Sequence, residues 1–152
     1  HRVRVFLGPM LRGLAAAFQP ECRLGGIDVR LHVEPSDLAV HCNEAQLRVA
    51  LQCVTGALLT SIHAERHPVA VLSFHARPAS GSVIVSIAQN VVAFQRLARL
   101  RGRRDDEVDA VVTAFGFDAA KRLVESQGGR LELRPDQAST GCVVDLKLTL
   151  VD

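Results

Sequence analysis

The stretch from Gly116 to Leu133, GFDAAKRLVESQGGRLEL, constrains the chain more than any other. Leu123 and Val124 fall three to five residues beyond Ala119 and Ala120, an apolar stripe at helical period. Gly128-Gly129 stands where a helix ends by turning left-handed, a conformation that only glycine adopts without steric cost. Leu131 and Leu133 then alternate with charged residues, the two-residue period of a strand. A helix that hands over directly to a strand needs a fold in which helices lie against a sheet.

The rest of the chain can be placed around this unit. Val5, Leu7, Met10, Leu11, Leu14, Ala15 and Phe18 approach a 3.6 period, which predicts a helix over 5–19 that stops before Pro20. Gly25-Gly26 releases the chain into a strand in which Ile27, Val29, Leu31 and Val33 share one face. Pro35-Ser36-Asp37 makes a turn, and 38–41 reads as a short second strand. Asn43, followed three positions later by Gln46, has the spacing of a capping box. The helix it opens carries Leu47, Ala50, Leu51, Val54, Leu58 and Ile62 on one face and ends in a polar run before Pro68.

Two strands, 69–74 and 83–88, follow, joined by a hairpin at Pro78-Ala79-Ser80-Gly81 and apolar enough to be buried on both faces. The pattern then degrades from Val91 to Glu107, which reads as an exposed connection. Val108, Val111, Val112 and Phe115 form a further helical stretch, and Cys142, Val144, Leu146, Leu148 and Leu150 alternate along a last strand. The expected architecture is one domain, 1–152: an α+β two-layer sandwich, with a mixed, mostly antiparallel sheet of about five or six strands covered on one face by about three helices.

Composition bounds the function classes. With 152 residues, 48% of them hydrophobic, the chain suffices for one domain burying roughly 70% of its unfolded surface. The net charge of +2 gives no general attraction to nucleic acid or membrane, and without Trp or Tyr there is little on which bases could stack. Cys22, Cys42, Cys53 and Cys142 lack metal-knuckle spacing, which favours buried reduced thiols. There is no uninterrupted apolar run of membrane-spanning length and no signal peptide, and the start at His1 without methionine suggests a domain excised from a longer chain.

The order of elements, with Lys121, Gly128-Gly129 and Arg130 in these places, resembles the ATP-binding domain of bacterial sensor histidine kinases. That domain shares the GHKL, or Bergerat, fold with gyrase B and Hsp90-type ATPases, and the resemblance covers nearly the whole chain. It implies a nucleotide site at Gln52, Gly56, Gln89, Asn90, Gly116 and Cys142, mostly substituted. The family's two Mg²⁺- and phosphate-reaching asparagines, four apart on the capped helix, are Gln52 and Gly56 here. The aspartate that accepts a hydrogen bond from the adenine amine is Gln89, Asn90 keeps a common family residue, and Val91 stands where glycine is expected. The glycine-rich turn that holds phosphate reads Ala114-Phe115-Gly116-Phe117, with Asp118 near the implied helix start, and the Gly-Thr before the last strand reads Gly141-Cys142. Residues 91–113 take the place of a degenerate ATP lid. A helix running on past Gly116 would remove the phosphate cradle.

Other constellations read as ordinary surface. His63 and His67, at i and i+4, suit a helix terminus better than a zinc site. His32, His41 and His75 read as ordinary sheet residues. Arg96, Arg99, Arg101, Arg103 and Arg104 run into Asp105, Asp106 and Glu107, a self-neutralising cluster preferred over nucleic-acid or phospholipid contact. No catalytic residue and no metal ligand is assigned.

The resemblance therefore implies a two-component signalling domain leaning towards a catalytically impaired pseudokinase, with no cofactor expected. It would act as a regulatory or docking module on upstream dimerisation and histidine-phosphotransfer helices and a response regulator. It is expected to be a monomer in isolation, in the cytoplasmic part of a sensor, without direct membrane contact. The alternative is a working domain that binds Mg-ATP and phosphorylates a histidine outside this sequence. Gly56 as a close-packing glycine and Gln52 as an exposed helix residue complete the impaired reading.

Overall fold

The computed structural model describes residues 1–63, 65, 69–97 and 108–149, the last segment with side chains from Gly116 onward. His67, most of the arginine cluster and positions 98–107 of the implied lid lie outside the described residues. The chain begins with strand β1 (Val3–Phe6) and helix α1 (Leu7–Leu24), followed by β2 (Ile27–Val33), β3 (Ala39–Cys42) and helix α2 (Glu44–His63). Strands β4 (Ala70–Ala79) and β5 (Ser82–Gln89) come next, then helix α3 (Val108–Glu125) and strands β6 (Arg130–Pro135) and β7 (Cys142–Thr149). A helical turn at 94–97 interrupts the segment after β5.

Five strands form one sheet in the order β2-β4-β5-β7-β6. Only β2 and β4 run parallel, because the chain crosses over through β3 and α2 between them; the remaining neighbours are antiparallel. The helices cover one face of this sheet. Leu72, Phe74 and Ala76 of β4, Val83, Val85 and Ile87 of β5, and Val144, Leu146 and Leu148 of β7 point towards them and are buried. Phe117, Ala120 and Val124 close the layer from α3, and Leu47, Leu51, Val54 and Leu58 from α2. The α+β sandwich is as expected, and β1 pairs with β3 in a separate two-stranded sheet.

Several boundaries differ from the sequence reading for identifiable reasons. Residues 3–6 are a strand, held by the register Val5↔Val40 to a partner far along the chain. Helix α1 continues through Pro20 to Leu24. Proline there forfeits one intrahelical hydrogen bond, and Cys22, completely buried two residues later, packs the continued helix into the core. The hairpin is tighter than expected: β4 runs on through Pro78 and only Ser80-Gly81 turns, with Gly81 at φ 71°. β4 is buried on one face and only partly covered on the other, so it is not a doubly buried strand. By length and composition α2 could cross a membrane, yet most of its apolar side chains are inside this core.

The glycine pair behaves as its sequence requires. Gly128 has φ 81°, its N–H bonds to Glu125 O at 3.0 Å, and Gly129 N–H bonds to Val124 O at 3.0 Å, the paired bonds of a Schellman motif. A side chain at Gly129 would come within 2.6 Å of Lys147 O, so the turn also brings α3 directly against β7.

Candidate functional site

At the end of β5 the chain makes a hydrogen-bonded cluster from three of the implied site residues. Gln89 is 2% exposed, and its side chain is bonded at every position it offers. Its oxygen accepts the N–H groups of Val91 and Val92, each at 2.7 Å. Its amide nitrogen donates to Val92 O at 2.6 Å and to Cys142 Sγ at 3.1 Å. The Cys142 thiol is completely buried, and that burial pushes it up to about 11, with the Gln89 amide acting weakly in the opposite direction. Gly141 presses on the same place: a Cβ there would lie 1.7 Å from Gln89 O. Cys142 therefore sits where it does because the backbone of Gly141 can approach β5 that closely.

Asn90 is also engaged with the protein. Its amide donates to Val69 O at 2.8 Å and accepts from Val71 N at 2.7 Å, tying the end of β5 to the start of β4. Thr140 donates to Asn90 O at 3.4 Å. The outer side of this junction opens on a cleft of about 270 Å³ whose lining includes Arg30, Ser73, Asn90 and Ser139.

Gly116 lies elsewhere and does something else. Helix α3 passes through it without a break, so neither a glycine-rich turn nor a helix N-terminus exists at that position, and Asp118 lies within the helix rather than near its start. Gly116 is buried against α2, where a Cβ would come within 3.0 Å of both Ala57 Cβ and Cys53 O. It is the residue that lets α2 and α3 cross closely. Gly56 does not have the packing role expected of it: among the described residues nothing lies within 4 Å of where its Cβ would be. Gln52 is exposed, as expected, and lines a cleft of about 240 Å³ between α1 and α2 with Met10, Gly13, Leu14 and Arg48.

The structure thus joins Gln89, Asn90 and Cys142 into one hydrogen-bonded cluster, packs Gly116 into a helix crossing, and leaves Gln52 and Gly56 on the accessible side of α2. The sequence reading missed the structural roles of two further residues, Gly141 and Gln127. Gly141 carries the close approach, a role no local pattern signals. Gln127 binds the N-terminus of α2, and only its position beside Gly128 hinted that it would be held in a fixed turn. His63 lies 3.8 Å from Glu21 of α1, and Arg96 of the 94–97 turn pairs with Glu65. Among the described residues no group of His, Cys, Asp or Glu could hold a metal ion, and all four cysteines are free.

This architecture, a mixed five-stranded sheet with α1, α2 and α3 on one face, is the fold of the catalytic ATP-binding domains of histidine kinases. The nucleotide-free catalytic domain of the histidine kinase ThkA superposes with a TM-score of 0.78 at 12% identity, over 99% of this chain and 96% of that one. The histidine kinase AdeS of Acinetobacter baumannii matches with a TM-score of 0.71 at 12% identity, over 100% of this chain and 68% of its own. Full-length ShkA in complex with AMPPNP matches at 0.76 and 19% identity, over 99% of this chain and 32% of its own. No family model matches the sequence, and neither does any curated protein.

Proposed function

We propose that the chain is a degenerate histidine-kinase catalytic domain with weak or absent nucleotide binding, acting in a cytoplasmic two-component pathway as a regulatory or docking module. The observation that carries this is the state of Gln89. A base amine needs a free acceptor, and both lone pairs of the Gln89 oxygen are occupied by Val91 and Val92. The continuous α3 supports the same conclusion, since a phosphate cradle requires exposed N–H groups at a helix start. Val91 and Gly56 add to it: one is a β-branched residue where a lid turn needs glycine, and the other has no side chain for a metal-bound oxygen.

The docking partners would be the dimerisation and histidine-phosphotransfer helices of the same protein and a response regulator. A ThkA structure in complex with the response regulator TrrA, matching with a TM-score of 0.74 at 15% identity over 42% of that chain, supports the second of these. The competing reading, a working Mg-ATP-binding kinase domain acting on a histidine outside this sequence, draws its support from the AMPPNP complex of ShkA.

Calorimetric titration with ATP and ADP, with and without Mg²⁺, separates the two. A folded sample silent up to millimolar nucleotide is the expected result. Saturable binding in the micromolar range would overturn the degenerate reading and make Gln52 and Gln89 residues of a working site.

A further inference from the structure

The face of the five-stranded sheet turned away from the helices carries its charged side chains in rungs. Register places Arg77 of β4, Ile84 of β5, Lys147 of β7 and Arg130 of β6 on one rung. The next rung runs His32, His75, Ser86, Asp145, Glu132 across all five strands. Beyond it come Arg30 and Ser73 at one side and Arg134 at the other. On the second rung the two imidazoles meet directly: β2 and β4 pair in parallel with His32 opposite His75, and the ring centroids are 5.2 Å apart with the planes tilted by 43°.

The surroundings of this pair are unequal. His32 has a carboxylate, Glu34 Oε2, 3.1 Å from its Nε2. His75 has none. Beside it on β4 stands Arg77, whose guanidinium donates to Ser86 Oγ at 3.0 Å, and Ser86 in turn donates to Asp145 Oδ1 at 2.6 Å. Arg134 is bonded to Asp145 from β6, so the nearest carboxylate along the rung is already taken by Ser86 and Arg134. On β2, Arg30 is paired with Asp28. Burial, then Arg77, then His32 hold the His75 imidazole below its ordinary range, and Glu34 only partly offsets them. Histidine is the side chain whose charge changes nearest neutral pH.

The position of the pair gives its charge state a mechanical consequence. Among the described residues β2 is an edge strand, and β4 is its one partner in the sheet. α1 leads straight into β2 through Gly25-Gly26 and packs against it. We propose that the His32–His75 pair is an acid-opened clasp, which holds the α1–β2 unit on the sheet while His75 is neutral and loosens it when His75 takes up a proton against its neighbour. Opening β2 separates the rings and lets water reach His75, so a proton binds His75 more tightly in the open form. The acid pull starts as pH falls through the ordinary histidine range and is complete once His75 is protonated in the closed form as well. The clasp would change the α1 wall of the α1–α2 cleft without touching the Gln89 cluster, so it stands independently of whether nucleotide binds.

Amide hydrogen exchange of the whole chain, with β5 as internal reference, tests this. Between about pH 7.5 and about pH 5.5 the opening of β2 relative to β5 is expected to rise severalfold. His75→Gln, which keeps a polar side chain but cannot titrate, is expected to flatten that ratio, and His32→Gln to reduce it. A ratio that stays constant in the parent protein, or rises equally in His75→Gln, would overturn the clasp. Parallel acceleration of β2 and β5 would do so too, because it marks global unfolding rather than an edge strand letting go.

Discussion

Gln127 Oε1 accepts the backbone N–H of Asn43 at 2.8 Å, so the turn that ends α3 binds the residue that caps α2. Asn43 Oδ1 itself caps the helix by accepting Gln46 N–H at 3.1 Å. The spacing Asn43-x-x-Gln46 invited a reciprocal capping box, but the Asn43 N–H is taken by Gln127, whose place is fixed by the left-handed Gly128 next to it. Replacing Asn43 by Ala should cost about 1 kcal/mol through the lost cap. Gln127→Ala leaves a part-buried donor unmet and should cost about 1 to 2 kcal/mol. Because the two bonds use different groups of Asn43, urea unfolding of the double variant should show nearly additive losses.

The Gln89 cluster predicts a large penalty for an apolar replacement of similar size. Gln89→Leu strands the N–H groups of Val91 and Val92 in a buried place, and should destabilise the domain by about 3 kcal/mol or more. Gln89→Glu keeps the acceptor for both N–H groups but loses the donors to Val92 O and Cys142, so it should fall between Leu and the parent. Equilibrium urea denaturation orders the three.

Glycine substitutions should divide by where their Cβ would go. Gly141→Ala places an atom 1.7 Å from Gln89 O and should cost about 4 kcal/mol or more, or prevent folding. Gly116→Ala gains helix propensity but intrudes on Ala57 and Cys53, for a net loss of about 1 to 2 kcal/mol. Gly56→Asn meets open space and should leave the melting temperature within a few degrees of the parent, with stability changed by no more than about 0.5 kcal/mol. Combined with Gln52→Asn, it returns both amides to α2, and calorimetry should still find no ATP binding while Gln89 remains bonded to its own loop.

Cysteine chemistry should follow burial. With its thiol raised to about 11, Cys142 should resist alkylation by iodoacetamide in the native protein at mildly alkaline pH, whereas Cys53, half-buried and raised less, should be modified first. Mass spectrometry of a labelling time course reads the order. The same shift has a stability sign. A thiol kept protonated in the fold loses nothing below its ordinary range near 9, but unfolding releases that proton as pH rises from 9 towards 11, a cost of about 2 to 3 kcal/mol. Cys142→Ser or Ala should blunt that alkaline loss in pH-dependent melts.

Much of the fold could be read from the sequence where a local rule was sufficient. β2 has the predicted bounds because the alternation lies within it and the Gly25-Gly26 release stands directly before it. Asn43 and Gly128 announce a helix start and a helix end by backbone chemistry that needs no distant partner. The signals failed where tertiary packing decides. β1 depends on β3, Pro20 is tolerated because α1 has a core to reach on its far side, and Gly116 is helical because α2 offers a surface that only a glycine can meet. The candidate site was legible as a set of altered positions, but not as a mechanism. Nothing in Gln89-Asn90-Val91 says locally that the glutamine would turn back on its own loop, since the bond to Cys142 spans half a hundred residues of chain.

Because Gly141 admits the β5 backbone and Gln89 then satisfies two N–H groups, a carbonyl and a thiol, these positions are mutually dependent as heritable characters. An aspartate at 89 alone would leave Val92 O and Cys142 without their donor, and a larger residue at 141 would be refused while β5 holds its course. Single-step variation therefore meets a penalty in each direction, and the residues of this corner hold one another in place over generations whatever the domain is used for.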